Sequence, residues 1–385
     1  MATELSSDCR EALRLLTQSR NVLVSGPPGT GKSRLLSEVA LAFQNGVTPA
    51  AAGGAPVHNP GAKIPIPPAP IAAPGIPDFP APGKTNRAVF RTVFHQNSKN
   101  RDFITGMAPA TAKKAGEPDF RIVEGTLYRA SEHAKKSDGA SLLIIDEINR
   151  GPAVQIFGGA IVAIEADKRL AMNGSEQSAT QKFELLDPTT GDIKEYALPH
   201  DLYIIAAMNQ ADASVEPLDV AFLRRWEPLR LAPDSKVLEA YFGVIDKADP
   251  LPDTPTEPKH LYQAACRAFT ALNRQITLGR GPEFQIGHGI LMPGQDPKRF
   301  SLDEAKAFLA SAWSKVLAHV EEVFFGDMRG VAAAINALDG PAYNPYKLTE
   351  TTFADELRFV LDGPRTITSD TLYPMLRAIG LPRGP

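Results

Sequence analysis

The chain has 385 residues, 43% hydrophobic and 22% charged, which is long enough for an α/β domain with a smaller companion. A formal net charge of -3 argues against a broadly basic nucleic-acid surface, although a local basic ring inside an oligomer would escape that test. Cys9 and Cys266, the two cysteines, lack metal-ligand spacing, which argues against a disulfide framework and a zinc site. Without an apolar leader or a run of about 18 apolar residues, the chain is expected to be cytoplasmic and to have no membrane partner.

The first segment predicts an amphipathic helix that leads straight into a strand. Residues 8–19 place Leu13 and Leu16 on one face, and Asp8 and Glu11 have the spacing of a capping box. The short apolar run 22–24 follows as the first strand. We expect no separate N-terminal domain, so recognition of a target would come from loops, from the C-terminal part or from another protein.

Residues 46–87 are dominated by proline, alanine and glycine. Because proline removes backbone donors and disfavours helix and central strand, this segment predicts an exposed insertion. Two interpretations stay open: a polyproline segment that docks a partner, or a surface loop of extended chain.

Strand and helix patterns alternate in the next part of the chain. The pattern predicts strands at 88–94, 141–145 and 202–207, helices at 125–136 and 152–166, and a hairpin at 182–197 inside an insertion of residues 171–199. From about residue 232 the pattern is mostly helical, and residues 304–325 form its clearest stretch. The order predicts an α/β domain over 1–230, a helical lid over 231–340 and a helical tail over 341–385, where Phe353, Leu357 and Val360 have helical spacing.

A phosphate-binding loop lies between the first strand and the next helix. It consists of Gly26, Pro27, Pro28, Gly29, Thr30, Gly31, Lys32 and Ser33, followed by Arg34 as the helix begins. The glycines let backbone N–H groups curl around phosphate, Lys32 would reach the β- and γ-phosphate oxygens, and the Ser33 hydroxyl would hold Mg²⁺. The helix N-terminus adds partial positive charge. A turn with this full spacing and no ligand would be rare, so the loop predicts nucleotide binding.

Two carboxylates end the buried strand 141–145. Asp146 and Glu147 lie where a doubly wound sheet presents ligands. Paired acids in this position can also cap a helix, but together with a phosphate loop they predict catalysis. Asp146 would hold Mg²⁺ alongside Ser33, and Glu147 would polarise the attacking water.

An amide and two arginines follow the next strand. Asn209 comes directly after strand 202–207, whose end shares an edge with the strand before Asp146, so its amide is a candidate to orient the γ-phosphate and the water. Arg224 and Arg225 end a short apolar helix. Such a pair is usually a solvated helix end, but a neighbouring subunit could use it to neutralise charge on a transferring phosphate.

The ordered set of motifs resembles the AAA+ ATPase superfamily. The blocks are the phosphate loop, Ile-Ile-Asp-Glu-Ile-Asn-Arg-Gly at 144–151, Ala-Ala-Met-Asn-Gln-Ala-Asp at 206–212 and Leu-Arg-Arg-Trp at 223–226. Within the superfamily the chain is most similar to the McrB branch, the motor subunits of modification-dependent restriction systems, with MoxR chaperones as cousins. Further blocks are Phe94-His95-Gln96, residues 102–106, Phe284-Gln285-Ile286-Gly287-His288 and residues 321–327. The similarity covers roughly residues 12–336.

That resemblance implies an AAA+ P-loop domain with a central parallel sheet and a smaller helical lid. It also implies that Asn209 is the sensor residue, that Arg224 and Arg225 include a finger acting on the next subunit, and that the active form is a hexameric ring. The hairpin at 182–197 corresponds in place to insertions that approach the central pore. McrB-like motors commonly carry threonine after the Met-Asn pair and Ser-Tyr-Phe after the Gly-His pair, whereas this chain has Gln210 and then Gly289-Ile290-Leu291. No guanine signature Asn-Lys-x-Asp occurs, so ATP is favoured and GTP stays open.

Three functions follow from this pattern. The first is an NTP-hydrolysing ring that drives a separate effector, such as a nuclease in DNA restriction or anti-phage defence, with DNA reached through a complex. The second is a MoxR-like chaperone that remodels a protein client, and the third is a nucleotide-gated scaffold. Arg280 is either a lid residue that touches phosphate or a surface arginine in a glycine-rich turn, and His288 is interpreted as a packed lid residue.

Overall fold

The computed structural model describes residues 5–46, 79–110, 120–211, 218–245, 250–292, 294 and 296–382. These residues form two compact units: one contains the chain up to Ser25 and from Lys32 to Arg230, and the other contains Gly26–Gly31 and the chain from Leu231. Most of the predicted insertion at 46–87, namely residues 47–78, lies outside the described residues.

The first unit contains nine strands and seven α-helices among the described residues. The strands are β1 (Asn21–Ser25), β2 (Asn86–Val93), β3 (Thr105–Pro109), β4 (Phe120–Glu124), β5 (Gly139–Asp146), β6 (Phe183–Leu186), β7 (Ile193–Tyr196), β8 (Leu202–Met208) and β9 (Glu227–Arg230). The helices are α1 (Ser7–Ser19), α2 (Lys32–Asn45), α3 (Asn100–Phe103), α4 (Thr126–Ala134), α5 (Ala153–Phe157), α6 (Ala160–Ala163) and α7 (Val220–Leu223).

Five of these strands form a parallel sheet in the order β2-β5-β8-β1-β9. The strands β1, β5 and β8 are nearly continuous apolar runs, which suits a sheet covered on both faces. On one face, Leu143 and Ile204 pack with Leu127 of α4 and Phe157 of α5. On the other face, Phe43 of α2 lies 5.8 Å from the ring of Tyr203. The expected parallel sheet with flanking helices is confirmed.

Two small antiparallel pairs accompany the sheet. The strands β6 and β7 form a hairpin where the alternating pattern predicts one. The pair β3 and β4 was not predicted, and it contacts the first pair through the Leu186 N–H, which donates to Thr105 Oγ1 at 3.1 Å.

Two local predictions in this unit were wrong. Helix α1 is capped by Ser6, whose side chain accepts a hydrogen bond from the Cys9 N–H, and not by Asp8, because the helix begins one residue earlier than its apolar pattern. The helix expected over 152–166 is broken into α5 and α6 at Gly158, where the backbone leaves the helical region.

The second unit is mainly helical. Its elements are α8 (Ser235–Phe242), α9 (Pro258–Gly279), α10 (Leu302–Val323), α11 (Met328–Ala334), β10 (Lys347–Phe353), β11 (Glu356–Asp362) and α12 (Ser369–Ile379). Their core surrounds the fully buried Trp313, with Phe242 and Tyr262 stacked at 4.6 Å. No helix in the described part of the chain is both long enough and apolar enough to cross a membrane.

The tail expected to be helical begins instead with a hairpin. The strands β10 and β11 pair from Lys347 with Asp362 to Phe353 with Glu356. The two residues between them, Ala354 and Asp355, both have positive φ, as a two-residue hairpin turn requires. The helical spacing at 353–361 therefore arose by coincidence from a strand pair, and α12 alone matches the prediction.

Candidate functional site

Residues 26–31 connect the end of β1 to the start of α2. Gly29 and Gly31 have φ of 78° and 91°, a left-handed conformation that glycine adopts without strain. The Thr30 hydroxyl donates to the Pro27 carbonyl at 2.9 Å and so closes the turn internally. The loop has the tight, glycine-dependent form that the sequence predicts for phosphate binding.

Lys32, Ser33 and Arg34 form the first turn of α2, where unpaired backbone donors and the helix dipole favour an anion. Burial lowers the pKa of the Lys32 ammonium to about 8, while the nearby carboxylates of Glu147 and Asp146 act in the opposite direction. Lys32 therefore interacts electrostatically with both carboxylates that the sequence predicts to be catalytic.

The strand β5 ends at Asp146, and the chain then turns sharply. Glu147 has φ 52° and ψ 45°, a left-handed conformation that is costly for a residue with a side chain. Its N–H donates to Asp146 Oδ1 at 3.0 Å, so each acid supports the other's position. This turn aims the Glu147 side chain independently of the strand that precedes it.

Two polar side chains donate hydrogen bonds to the Glu147 carboxylate, and a third donates to the main chain of one of these two residues. Asn209 Nδ2 lies 3.0 Å from Glu147 Oε1, and Arg150 Nε lies 3.1 Å from Glu147 Oε2. Asn149 in turn donates from Nδ2 to the Asn209 carbonyl at 2.8 Å. The contact between Glu147 and Asn209 follows from the register of β5 and β8, in which Ile145 pairs with Ala206 and both strands end at one edge.

The donors expected for Mg²⁺ are Ser33 and Asp146. Asp146 Oδ1 accepts the Glu147 N–H, whereas Oδ2 makes no hydrogen bond or ion pair with the described residues and is available to a cation. No cluster of three or more His, Cys, Asp or Glu that could hold a metal occurs among the residues described. A hydroxyl and a carboxylate are oxygen donors of the kind that hold Mg²⁺ together with water and phosphate. The donor set therefore fits the ion.

The two arginines after α7 have different environments. Arg225 is nearly buried: its Nε lies 2.9 Å from Glu165 Oε1, and it also donates to the Ala221 carbonyl. Arg224 is exposed, and within the described part of the chain its side chain makes no hydrogen bond or ion pair. Arg225 is thus fixed by contacts within the chain, whereas Arg224 faces solvent.

Arg280 and His288 lie in the second unit. Arg280 is directed toward the end of α10, with its guanidinium 5.2 Å from the Phe324 ring centroid and 3.8 Å from Asp327. His288 Nδ1 accepts from the Asp234 N–H at 3.3 Å. Both side chains have structural partners, and a contact of Arg280 with phosphate stays a prediction.

Three residues that contact the predicted site residues were given no role in the sequence analysis. Asn149 and Arg150 directly follow the paired acids, so their proximity along the chain was a usable signal. Glu165 lies far from Arg225 in sequence and has no motif around it, so only the folded chain reveals that pair.

Comparison with known proteins finds similarity to nucleotide-binding families, in agreement with the geometry of the site. The family described as "AAA domain (dynein-related subfamily)" matches residues 83–226. The EcoKMcrB subunit of a type IV methyl-directed restriction enzyme from Escherichia coli is 26% identical over 325 residues, or 82% of this chain. The YdiS component of the type II restriction enzyme BsuMI from Bacillus subtilis is 33% identical over 130 residues, or 32% of this chain.

The matched segments cover 56% and 37% of those two relatives, so the chain spans about half or less of the curated proteins it resembles. A crystal structure of a candidate ATPase from Cytophaga hutchinsonii aligns over 84% of this chain and 78% of its own, but with 14% identity and a TM-score of 0.32 it carries no weight for the fold. The ordered motifs at the edge of a five-stranded parallel sheet, the match of residues 83–226 to the AAA domain family and the two relatives make the chain similar to AAA+ ATPases and, in sequence, to McrB-like restriction subunits.

Proposed function

We propose that the protein is a Mg²⁺-dependent nucleoside triphosphatase that hydrolyses ATP within a ring of its own copies and drives a separate effector. The observation that carries this proposal is the placement of the Glu147 carboxylate between Asn209 and Arg150, at the sheet edge that also supports Asp146. A strained acid held by two donors, electrostatically coupled to Lys32, is an arrangement suited to phosphate chemistry.

In the proposed reaction, water attacks the γ-phosphorus and passes a proton toward Glu147. The bond from the γ-phosphorus to the bridging oxygen breaks, and the nucleoside diphosphate leaves with that oxygen. Asn209 orients Glu147 and the water, and Lys32 offsets charge on the transferring group. Bound through Ser33 and Asp146, Mg²⁺ would neutralise charge on the phosphate oxygens.

Arg224 is the proposed finger that acts on the nucleotide of a neighbouring subunit. It is exposed at the end of α7, whereas Arg225 is held by Glu165 and so serves the fold. A site that needs an arginine from a second copy is incomplete in one chain, which supports a ring, with six subunits as the proposed number.

The effector is proposed to be a nuclease, with DNA reached through the complex. Support comes from the two relatives, both of which are named as parts of restriction enzymes. ATP is proposed over GTP because the sequence lacks the guanine signature Asn-Lys-x-Asp.

The test is phosphate release by the purified full chain with ATP and with GTP, with and without duplex DNA, and with Lys32→Ala as the inactive control. We expect Mg²⁺-dependent release from ATP that exceeds release from GTP and rises with DNA. Release that ignores DNA and rises with a protein client would favour a remodelling chaperone. Nucleotide binding without release would favour a scaffold and contradict the proposal.

A further inference from the structure

The segment 286–289 binds the backbone of the phosphate loop. The Gly287 N–H donates to the Pro28 carbonyl at 3.0 Å, and the Gly289 N–H donates to the Gly29 carbonyl at 2.8 Å. All these residues belong to the second unit. Two successive peptide planes of the loop are therefore fixed by a segment more than two hundred residues later in the chain.

The hydrogen bonds to the two carbonyls determine the direction in which the N–H group of each peptide plane points. In a trans peptide the C=O and the N–H point in opposite directions, and the described chain contains no cis peptide bond. With the Pro28 and Gly29 carbonyls turned toward Gly287 and Gly289, the N–H groups of Gly29 and Thr30 point the opposite way. Backbone N–H groups in such loops are the donors that receive phosphate.

Glycine is required at both positions by space and not by backbone conformation. Gly287 has φ -70° and ψ 147°, which any residue can adopt. A Cβ at residue 287 would lie 2.1 Å from the Gly29 carbonyl carbon and 2.3 Å from the Pro28 carbonyl oxygen. A Cβ at residue 289 would lie 2.9 Å from the Gly29 carbonyl oxygen. The two glycines thus permit the close approach that the hydrogen bonds need.

The segment is itself held in place by a buried amide on α9. Asn273 is 6% exposed; its Nδ2 donates to the Ile286 carbonyl at 3.0 Å, and its Oδ1 accepts the Ile286 N–H at 2.7 Å. Ile286 is buried in the core of the second unit. Asn273 therefore fixes residue 286 on both sides, and the next residues reach the loop from that anchor.

We propose that Gly287 and Gly289, anchored through Asn273, are positioning residues that hold the phosphate loop in its anion-binding conformation. This inference rests on the proposed function, since it assumes that nucleotide binds at the loop. The same N–H groups hold phosphate in the ground state and in the transition state, so the segment acts on nucleotide affinity. Changes here raise KM and leave kcat nearly constant.

The test compares Gly287→Ala and Gly289→Ala with Gly340→Ala in the full chain, by titration with fluorescent ATP and ADP analogues, by steady-state phosphate release and by thermal unfolding. Gly340 is the matched control because its added Cβ would lie 1.9 Å from the Asn336 carbonyl oxygen, a backbone clash that involves no residue of the loop. We expect Kd and KM to rise about tenfold in Gly287→Ala and at least about threefold in Gly289→Ala, since misaimed donors lose charge-assisted hydrogen bonds. Gly340→Ala should lower Tm but keep Kd within about twofold of the parent value.

If Gly287→Ala does not fold, two other variants test the inference: Gly289→Ala, whose added Cβ approaches the loop only to 2.9 Å, and Asn273→Ser, which adds no Cβ beside the loop. Folded variants that bind nucleotide as tightly as the parent protein would overturn the positioning role while leaving the proposed function intact. A parent protein that binds no nucleotide, or binds it equally well as Lys32→Ala, would instead remove the proposed function on which the inference rests.

Discussion

The carboxamide of Asn209 donates to the carboxylate of Glu147, with Nδ2 3.0 Å from Oε1 and 3.3 Å from Oε2. The two residues directly follow the neighbouring parallel strands β5 and β8 and are 62 positions apart in sequence. Asn149 Nδ2 donates to the main-chain carbonyl of Asn209, and Arg150 Nε also donates to the Glu147 carboxylate. Glu147 thus has a defined orientation before any substrate is considered.

Asn209→Ala should lower kcat about a hundredfold, because Glu147 loses the donor that orients it. Nucleotide Kd should change little, since the phosphate loop is untouched. Asn149→Ala, which removes only the support for the Asn209 main chain, should lower kcat by about tenfold or less. Steady-state phosphate release with fluorescent-nucleotide titration measures both quantities; equal losses in the two variants would contradict this ranking.

Arg224→Ala should abolish hydrolysis without changing Tm, because the side chain is exposed and makes no hydrogen bond or ion pair among the described residues. Arg225→Ala should instead destabilise the fold by about 1–2 kcal/mol, since it leaves the partly exposed Glu165 without its cation. Mixing Arg224→Ala with Lys32→Ala subunits should restore part of the activity, as each supplies what the other lacks. Failure of mixed rings to hydrolyse would assign the finger elsewhere.

Ser33→Ala should raise the Mg²⁺ concentration needed for half-maximal hydrolysis, because one of two protein oxygens for the ion is lost. Chelation of Mg²⁺ should stop hydrolysis by the parent protein. Ser37→Ala is the control: this serine lies one turn further along α2 and donates to the Ser33 carbonyl at 2.9 Å. A Mg²⁺ titration that gives the same midpoint for Ser33→Ala and Ser37→Ala would remove Ser33 from the metal site.

The stability contributed by Asp201 should depend on pH. Burial alone would raise the pKa of Asp201, but hydrogen bonds from His200 at 2.9 Å and Lys84 at 3.1 Å hold it below its ordinary value. The folded chain therefore binds fewer protons than the unfolded chain, and the contribution is present above about pH 4 and lost as the pH falls through the folded pKa.

Asp201→Asn should accordingly cost about 1 kcal/mol at neutral pH, where solvent near Lys84 weakens the pair. Chemical denaturation of both proteins at pH 7 and at successively lower pH measures the difference, which should shrink with acid. A difference that stays constant would show that the carboxylate charge plays no part.

The sequence predicted those parts of the fold in which local pattern and burial agree. The strands β1, β5 and β8 were found because they are continuous apolar runs covered on both faces, and the positions of Glu147 and Asn209 followed from the rule that parallel strands end at one edge. The phosphate loop was readable because its geometry depends on glycines at fixed spacing.

Other features depended on contacts that no local pattern encodes. The strand β9 is short and includes a proline, so only its pairing with β1 defines it. The difference between Arg224 and Arg225 requires Glu165, and the bonds from Gly287 and Gly289 to the loop join distant segments. At β10 the turn chemistry of Ala354-Asp355 was missed, and the flanking residues were misread as helix.

The catalytic role of Glu147 is tested most directly by single-turnover phosphate release from Glu147→Gln, measured beside a nucleotide titration of the same protein. The amide keeps the size of the side chain but cannot accept a proton from water. We expect Kd for ATP to stay within about threefold of the parent value while release slows by at least about a thousandfold. Release at the parent rate would contradict the assignment of Glu147, and with it the reaction proposed for this site.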